Sequence, residues 1–497
     1  MQPFPVPPDE IPAGGQWLRG GGPASACVDP ADGSTVTSIH AADSAQVDAA
    51  ARAGAAAAAD PAWRDLLPHQ RARLLSRVAD AIEDHAEQLA LLQTRNTGKA
   101  LGETRALVAS AAGTFRYYAA ALETLEGELP PSRGAHLTMS VHEPIGVVGA
   151  ITPWNSPIAS DAQKIAPALA AGNAVLLKPA EATPLVSLAL ARLAHDAGVP
   201  PALLSVLPGP GSVVGDAIAR HPLVGKLAFT GGTATGRVLG RIAADRIIPV
   251  TMELGGKSPT IVCEDADAEE TVAGILYGIF SSTGQSCIAG SRIFVPRKHY
   301  AEWAARLISA TSALRLGPGT DPATQVGPLA TFAHRDKVAA MVDRAREEGA
   351  QVLCGGHIPD EERLSRGAYY LPTLLDGLAP DAKTCQEEIF GPVGVLLPYD
   401  DEDDLVAKAN STVYGLACGI WTADYRRALR LARRVEAGTV WINTYKQFSI
   451  STPFSGTKES GLGTDKGRTA IRSYQRQKSL YLNLADEPIP WARVSRS

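Results

Sequence analysis

The run GQSCIAGSR at 284–292 puts a cysteine, Cys287, in a turn between a helix-patterned stretch and the strand-like SRIFVP, and MELGGKSP at 252–259 supplies a carboxylate, Glu253, upstream. A thiolate attacks carbonyl carbon readily, and a carboxylate on a separate support can later deprotonate the water that releases the acyl group. Because a free thiol titrates near about 8.5, such a nucleophile needs backbone N–H groups around it. Gly284 and Gly290 permit that backbone, and with their polar neighbours they favour a nucleophile over a buried structural cysteine. Glu253 follows a strand and precedes Gly255 and Gly256, at the sheet edge where α/β proteins place ligands. Alone it would read as a helix cap or an ion-pair partner. Asn155, in TPWNSP at 152–157, also lies just past a strand. Its amide N–H can face a developing oxyanion together with the backbone N–H of Cys287, although Asn-Ser-Pro by itself signals a turn or N-cap.

A second set of residues suits a dinucleotide. Lys178 and Glu181 in LLKPAEATP stand at the end of the strand AVLLK, where Pro179 halts pairing and both side chains can face a ribose. A carboxylate accepts both ribose hydroxyls but repels a 2′-phosphate, so Glu181 favours NAD over NADP. FTGGTATG at 229–236, with Phe229, Thr230, Gly231 and Gly232, runs strand, glycines, helix and brings bare backbone and a helix N-terminus against a pyrophosphate. EEIFGPV at 387–393 offers Glu388 for a second ribose and Phe390 to flank a flat ring, unless that phenylalanine simply belongs to the core.

These residues need a scaffold, and the chain is long enough to build one. At 497 residues it exceeds the size of a single hydrophobic core, which predicts two or more domains. The net charge of −5 and the lack of a Lys/Arg-rich run argue against a nucleic-acid partner or an anionic membrane. Six scattered cysteines without a C-x-x-C pair read as reduced thiols, and no metal site is expected. No uninterrupted apolar run of membrane length and no leader-like N-terminus is evident, so a soluble, cytoplasmic protein is expected.

After a Gly/Pro-rich start, residues 45–126 carry apolar positions at helical spacing. From 146, short apolar runs alternate with helical patterns: GVVGAIT, AVLLK, LSVLPG, KLAFT and IIPVTME, with helices near 160–171, 184–197, 212–220 and 235–245. That rhythm predicts a doubly wound parallel sheet. A second series runs from TIVC at 260–263 through SRIFVP and VGVLLP to GTVWIN, with helices near 298–313, 332–348 and 424–436. The tail QKSLYLNL at 477–484 alternates like an exposed strand, expected to pair with the 136–145 arm across chains and so build an oligomer.

Together TPWN, KPAEATP, LPGPG, FTGGTATG, MELGGKSP, GQSCIAGSR, EEIFGPV, YGLACGIW, GTVWINTY and PFSGTKESGLG resemble the aldehyde dehydrogenase superfamily over nearly the whole chain. The resemblance implies an α/β protein of two doubly wound parallel-sheet domains, Rossmann-like and catalytic, with a small β oligomerisation arm. The boundaries are 1–125 and 146–254 for the dinucleotide domain, 255–460 for the catalytic domain, and 126–145 with 475–490 for the arm. It implies Cys287 as nucleophile, Glu253 as general base and Asn155 as oxyanion donor. Pro153, Trp154, Lys178, Glu181, Gly211, Phe229, Thr230, Gly231, Gly232, Glu388 and Phe390 are implied to bind NAD. The implied mechanism runs through a thiohemiacetal on Cys287, hydride transfer to nicotinamide and a thioester hydrolysed by Glu253-activated water, usually in a dimer or tetramer.

The departures concern the substrate. The pyrophosphate turn has Gly232 and Ala234 where Ser and Glu are common, removing a hydroxyl contact to phosphate. Ser156, Ala159, Ser160, Gln163 and Ser281 replace positions that are often bulky and apolar, while Phe448, Phe454 and Ile288 remain as walls. A small aldehyde would fill such a pocket poorly, so a bulky aromatic or oxygenated aldehyde is expected. Lys446 reads as a solvated surface lysine, or as the partner of a substrate carboxylate if the substrate is a semialdehyde. Two less favoured functions are a coenzyme A-acylating enzyme, against which Glu253 argues, and a non-catalytic NAD-binding protein, which would have no need of the three catalytic residues together.

Overall fold

The computed structural model of the chain describes residues 3–5, 9–486 and 491. Positions 1–2 and 6–8 of the first expected domain, and 487–490 of the expected arm, lie outside the described residues.

Two large sheets carry the architecture. In the first, the strands Val147–Ile151, Ala174–Lys178, Leu204–Val206, Val224–Thr230 and Val250–Glu253 are all parallel. Leu204–Val206 lies at one end, followed by Ala174–Lys178, Val147–Ile151, Val224–Thr230 and Val250–Glu253. The chain begins the sheet in the middle, winds to one side and then returns to the other. Val147–Ile151 and Val224–Thr230 are therefore neighbours whose connections leave in opposite directions, and ligands bind in the crevice beyond the carboxyl ends of such a pair. The parallel strands are almost wholly buried, as expected for strands covered by helices on both faces, and the helices Pro157–Ala170 and Leu185–Asp196 are buried almost all round.

The second sheet has seven strands, ordered Gln351–Cys354, Thr373–Asp376, Val393–Tyr399, Arg292–Pro296, Pro259–Val262, Ala417–Trp421 and Thr439–Ile442. All neighbours are parallel except the edge strand Gln351–Cys354. Its core is separate, built on residues such as Ile261, Phe294, Leu375, Val395 and Ile420. The segment 461–474, which carries no clear pattern in the sequence, belongs with the first sheet. Gly461–Leu462 pairs antiparallel with Val250–Glu253, and Ala470, Ile471 and Tyr474 enter the first core.

Three segments take a form that the sequence pattern did not specify. The Gly/Pro-rich start forms two hairpins, Glu10–Ala13 with Gln16–Arg19 and Ala24–Val28 with Thr35–His40. The stretch near 212–220 is one turn of π-helix at Gly211–Gly215 followed by the short helix Asp216–Arg220. Finally, Gln475–Asn483 pairs residue by residue with His136–Pro144 of its own chain rather than across chains, because the two segments already lie antiparallel over nine positions. Among the described residues no helix is long and apolar enough to cross a membrane, and no group of His, Cys, Asp and Glu converges as a metal site would require.

Candidate active site

The helix Ala268–Phe280 ends against a turn of unusual backbone. Ser282 (φ 57°), Thr283 (φ 56°) and Gly284 (φ 69°) are consecutive left-handed residues, a conformation that costs a residue with a Cβ on the order of 1 kcal/mol or more. Hydrogen bonds from outside the turn hold it. The Ser282 N–H donates to Glu103 Oε1 at 2.5 Å, the Thr283 hydroxyl donates to the Gly327 carbonyl at 3.0 Å, and Gln285 Oε1 accepts from the Ala330 N–H at 2.8 Å. A Cβ on Gly284 would stand 2.0 Å from the Gly391 carbonyl oxygen, so only glycine fits. The turn thereby presents Cys287 beside the carboxyl end of Val250–Glu253. Close approach also explains Gly256, where a Cβ would lie 2.3 Å from the Cys287 carbonyl oxygen.

Cys287 opens into a cavity of about 400 Å³ beyond the carboxyl ends of the first sheet. The cavity brings together Pro153, Trp154, Asn155, Ser156, Ala159, Ser160 and Gln163 from the segment after Val147–Ile151 and its helix. Thr230, Gly231, Gly232 and Glu253 come from the next two strand ends, Ile288, Phe448 and Phe454 from the second half, and Glu388 with Phe390 from the loop before Val393–Tyr399.

One amide N–H of Asn155 donates to the Gln285 carbonyl at 2.9 Å, which fixes the side chain and leaves the other N–H for a ligand. Ser156 makes no cap for the helix that follows; Gln93 Oε1 instead accepts from the Ile158 N–H at 3.2 Å. Both carboxylate oxygens of Glu253 are buried without a hydrogen-bond partner. Burial, reinforced by Asp465 and opposed by Lys164 and Lys466, holds Glu253 well above the usual carboxylate range. Burial also pushes the Cys287 thiol up to about 12, with Glu388 and Glu253 adding to the rise and Lys446 countering it. Glu388 is raised to about 7 by burial, against the lowering effect of the Gly256 N–H that it accepts at 3.0 Å.

Several features fit a dinucleotide. The helix Thr233–Arg246 begins after Gly232 with no side-chain cap, leaving its first N–H groups for an anion. Phe390, in a left-handed conformation (φ 61°), stands edge-to-face with Trp154 at 5.2 Å, and its carbonyl meets His334 Nε2 at 2.7 Å. This flat-walled recess lies next to Glu388.

Other residues read from the sequence fall outside this cavity. Lys178 is buried with Nζ donating to the Pro179 carbonyl at 2.9 Å, and burial lowers it to about 8. Glu181 is exposed and lines a separate cavity of about 120 Å³ with Pro208, Gly209 and Pro210. Gly211 is exposed at the start of the π-turn, and the Phe229 ring is buried against Gly231. Ser281 does not line the pocket, because its hydroxyl donates to the Tyr277 carbonyl at 2.5 Å and accepts from Lys446 Nζ at 2.7 Å. Lys446 is consequently anchored and half-buried rather than solvated, and burial brings it down to about 7.

The sequence reading missed four charged groups and a histidine. His334 and Lys337, on the helix Phe332–Glu347, line the cavity near Glu388 and Phe390. Lys164 and Asp465 form an ion pair at 2.5 Å, 0% and 3% exposed, and Lys466 lies on the same wall as Asp465. Only TDK after the Gly-rich SGLG hinted at the last pair, and nothing in that string announces burial.

Residues 17–480 match the model of the aldehyde dehydrogenase family. A putative aldehyde dehydrogenase, DhaS, of Bacillus subtilis is 39% identical over 458 residues, 92% of each chain. Among solved structures, an NAD+ complex of aldehyde dehydrogenase from Bacillus cereus is 36% identical with a TM-score of 0.94, over 98% of this chain and 100% of that one. Betaine aldehyde dehydrogenase from Staphylococcus aureus in complex with NAD+ is 32% identical with a TM-score of 0.96, over 98% of this chain and 97% of that one.

Proposed function

The chain belongs to the aldehyde dehydrogenase family, and from that premise we propose that it oxidises a bulky, aromatic or oxygenated aldehyde to its carboxylic acid with NAD, through covalent attachment to Cys287. The observation that carries this reading is one cavity holding a thiol, an unpartnered buried carboxylate and an anchored amide donor.

Once the thiol proton has passed to water in the cavity, Cys287 Sγ bonds to the aldehyde carbon, the C=O π pair moves onto oxygen, and that negative oxygen is met by the free N–H of Asn155 and by the backbone N–H of Cys287. When bound, NAD supplies the hydride acceptor. Trp154, Glu388 and Phe390, joined by His334 and Lys337, would hold its nicotinamide end, the uncapped start of Thr233–Arg246 its pyrophosphate, and Lys178 with Glu181 its adenine ribose. Glu253 then takes a proton from water, whose oxygen bonds to the thioester carbon while the C–S bond breaks, giving the acid and returning Cys287 as its thiolate. The raised affinity of Glu253 for protons makes it a stronger base than an exposed carboxylate, and with no internal hydrogen bond to break it is free to turn toward that water.

Residues 1–125 and 146–254 serve as the dinucleotide domain, with 461–474 added to them, and 255–460 as the catalytic domain. The exposed Leu480, Tyr481 and Leu482 on the arm strand support a homo-oligomer, and a cytoplasmic location is part of the same proposal. The polar walls at Ser156, Ser160 and Gln163 support the substrate class.

NADH formation by the purified protein across aliphatic, aromatic and carboxylated aldehydes tests the reading. Cys287→Ala should abolish turnover, and retention of the parent's rate would sink the covalent mechanism. If acetaldehyde exceeds every aromatic or oxygenated aldehyde in kcat/KM, the substrate class is wrong. A strict requirement for coenzyme A would replace hydrolysis by acyl transfer.

A further inference from the structure

Lys466 is a cation built into the wall of the aldehyde cavity. Although it lines the same space as Cys287 and Asn155, it is only 8% exposed, and among the described residues no carboxylate lies within ion-pair distance of it. The obvious partner, its neighbour Asp465, is taken by Lys164. What Nζ meets instead is aromatic surface, 3.8 Å from the centre of the Phe448 ring and 5.4 Å from that of Phe454. A ring face holds an ammonium in a partly dry site while leaving its N–H groups free for an anion.

The backbone fixes this placement on both sides. Asp465 exchanges two hydrogen bonds with Phe454, at 2.8 and 2.9 Å, and the Gly467 N–H donates to the Ile450 carbonyl at 2.8 Å. Lys466 itself is held left-handed, at φ 59°. A surface lysine with a flexible stem needs none of this.

The rest of the cavity matches a second oxygen function. Ser110, Ser156, Ser160 and Gln163 line it, and among the described residues none of their side chains is engaged in a hydrogen bond within the protein. Charge is consistent with this: Asp465 is paired with Lys164, and among the described residues neither Glu253 nor Glu388, the other carboxylates lining the cavity, lies within ion-pair distance of Lys466.

We propose that the cavity selects aldehydes carrying an anionic oxygen group, a carboxylate, and that Lys466 is the specificity residue that pairs with it. The inference rests on the aldehyde-oxidising reading above and narrows its substrate class. It also moves the carboxylate partner from Lys446, which is bound to Ser281, to Lys466.

The test compares para-formylbenzoate with para-formylbenzamide, and succinic semialdehyde with its amide, which differ in charge far more than in shape. The parent protein should favour each acid over its amide by at least about tenfold in kcat/KM, chiefly through KM, as expected for a charge-assisted pair in a partly dry site. Lys466→Met should bring that ratio to near one, and Lys466→Arg should keep most of it. Equal handling of acid and amide by the parent overturns the proposal without any variant, as does a Lys466→Met protein that loses activity on both while keeping the ratio, the mark of a purely structural lysine. If no aldehyde of any charge yields NADH, the aldehyde-oxidising reading falls and this one with it; if the amides are oxidised as well as the acids, only this one falls.

Discussion

Replacing Asn155 by alanine separates the two jobs its amide performs. One N–H is spent on the Gln285 carbonyl at 2.9 Å, two residues before the nucleophile. Losing that bond removes a neutral hydrogen bond worth about 0.5–1.5 kcal/mol of stability. The other N–H is the proposed donor for the oxyanion, and removing such a donor costs about 2.7–4 kcal/mol at the transition state, or roughly a hundredfold to a thousandfold in rate. The two figures differ enough to be read apart. Stopped-flow measurement of the first turnover of NADH, at saturating aldehyde and NAD, reports the attack and hydride steps before hydrolysis intervenes. Urea unfolding of the same protein reports the stability loss. The expected result is a first turnover slowed by about two to three orders of magnitude in a protein destabilised by about 1 kcal/mol. A first turnover within threefold of the parent would refute the oxyanion role. An unfolding shift as large as the kinetic loss would refute the separation, because the turn carrying Cys287 would then have collapsed.

Cys287 in the free protein should alkylate slowly with iodoacetamide, and its rate should keep rising about tenfold per pH unit through pH 9, since thiolate forms only as pH approaches the raised value near 12. Glu388, raised to about 7, is charged above that pH and opposes the thiolate, so Glu388→Gln should speed alkylation at pH 9; a plateau near pH 8.5 in the parent would contradict both statements. Lys164→Met leaves Asp465 charged and buried beside Glu253, and should cost about 3–5 kcal/mol in urea unfolding, part of which the double change with Asp465→Asn restores. A loss under about 1 kcal/mol would show that the pair is solvated in solution.

The parallel strands of the first sheet and four of the second were legible because each is a short apolar run between helical patterns, as with AVLLK and SRIFVP, whereas the parallel strands Thr373–Asp376 and Ala417–Trp421 were not read as strands. Strands that lack this signature were not. Gln351–Cys354 is a half-exposed edge, and Glu10–Ala13 and Ala24–Val28 belong to hairpins whose turns are hidden among many glycines and prolines. Motif residues beside strand ends, such as Asn155, Glu253 and Gly232, meet in one cavity because strand ends in such a sheet converge whatever lies between them in sequence. Lys164, Asp465 and Lys466 gave no comparable sign. Lysine and aspartate are ordinarily exposed, and only the return of residues 461–474 onto the first sheet buries them. Ser281 was misjudged by direction rather than position: it sits near the nucleophile, but its hydroxyl turns back to its own helix.

That return has a consequence for how the protein can be divided. Gly461–Leu462 seals the open side of the six-stranded sheet, and Ala470, Ile471 and Tyr474 fill the core behind it, so the half built on that sheet is stitched from pieces on either side of everything that forms the seven-stranded half. A fragment ending at residue 254 would expose a bare strand edge and an unfilled hole. The seven-stranded half is an insert that begins and ends on its host, and a modular swap of one half between relatives needs two junctions, one near 255 and another just before 461.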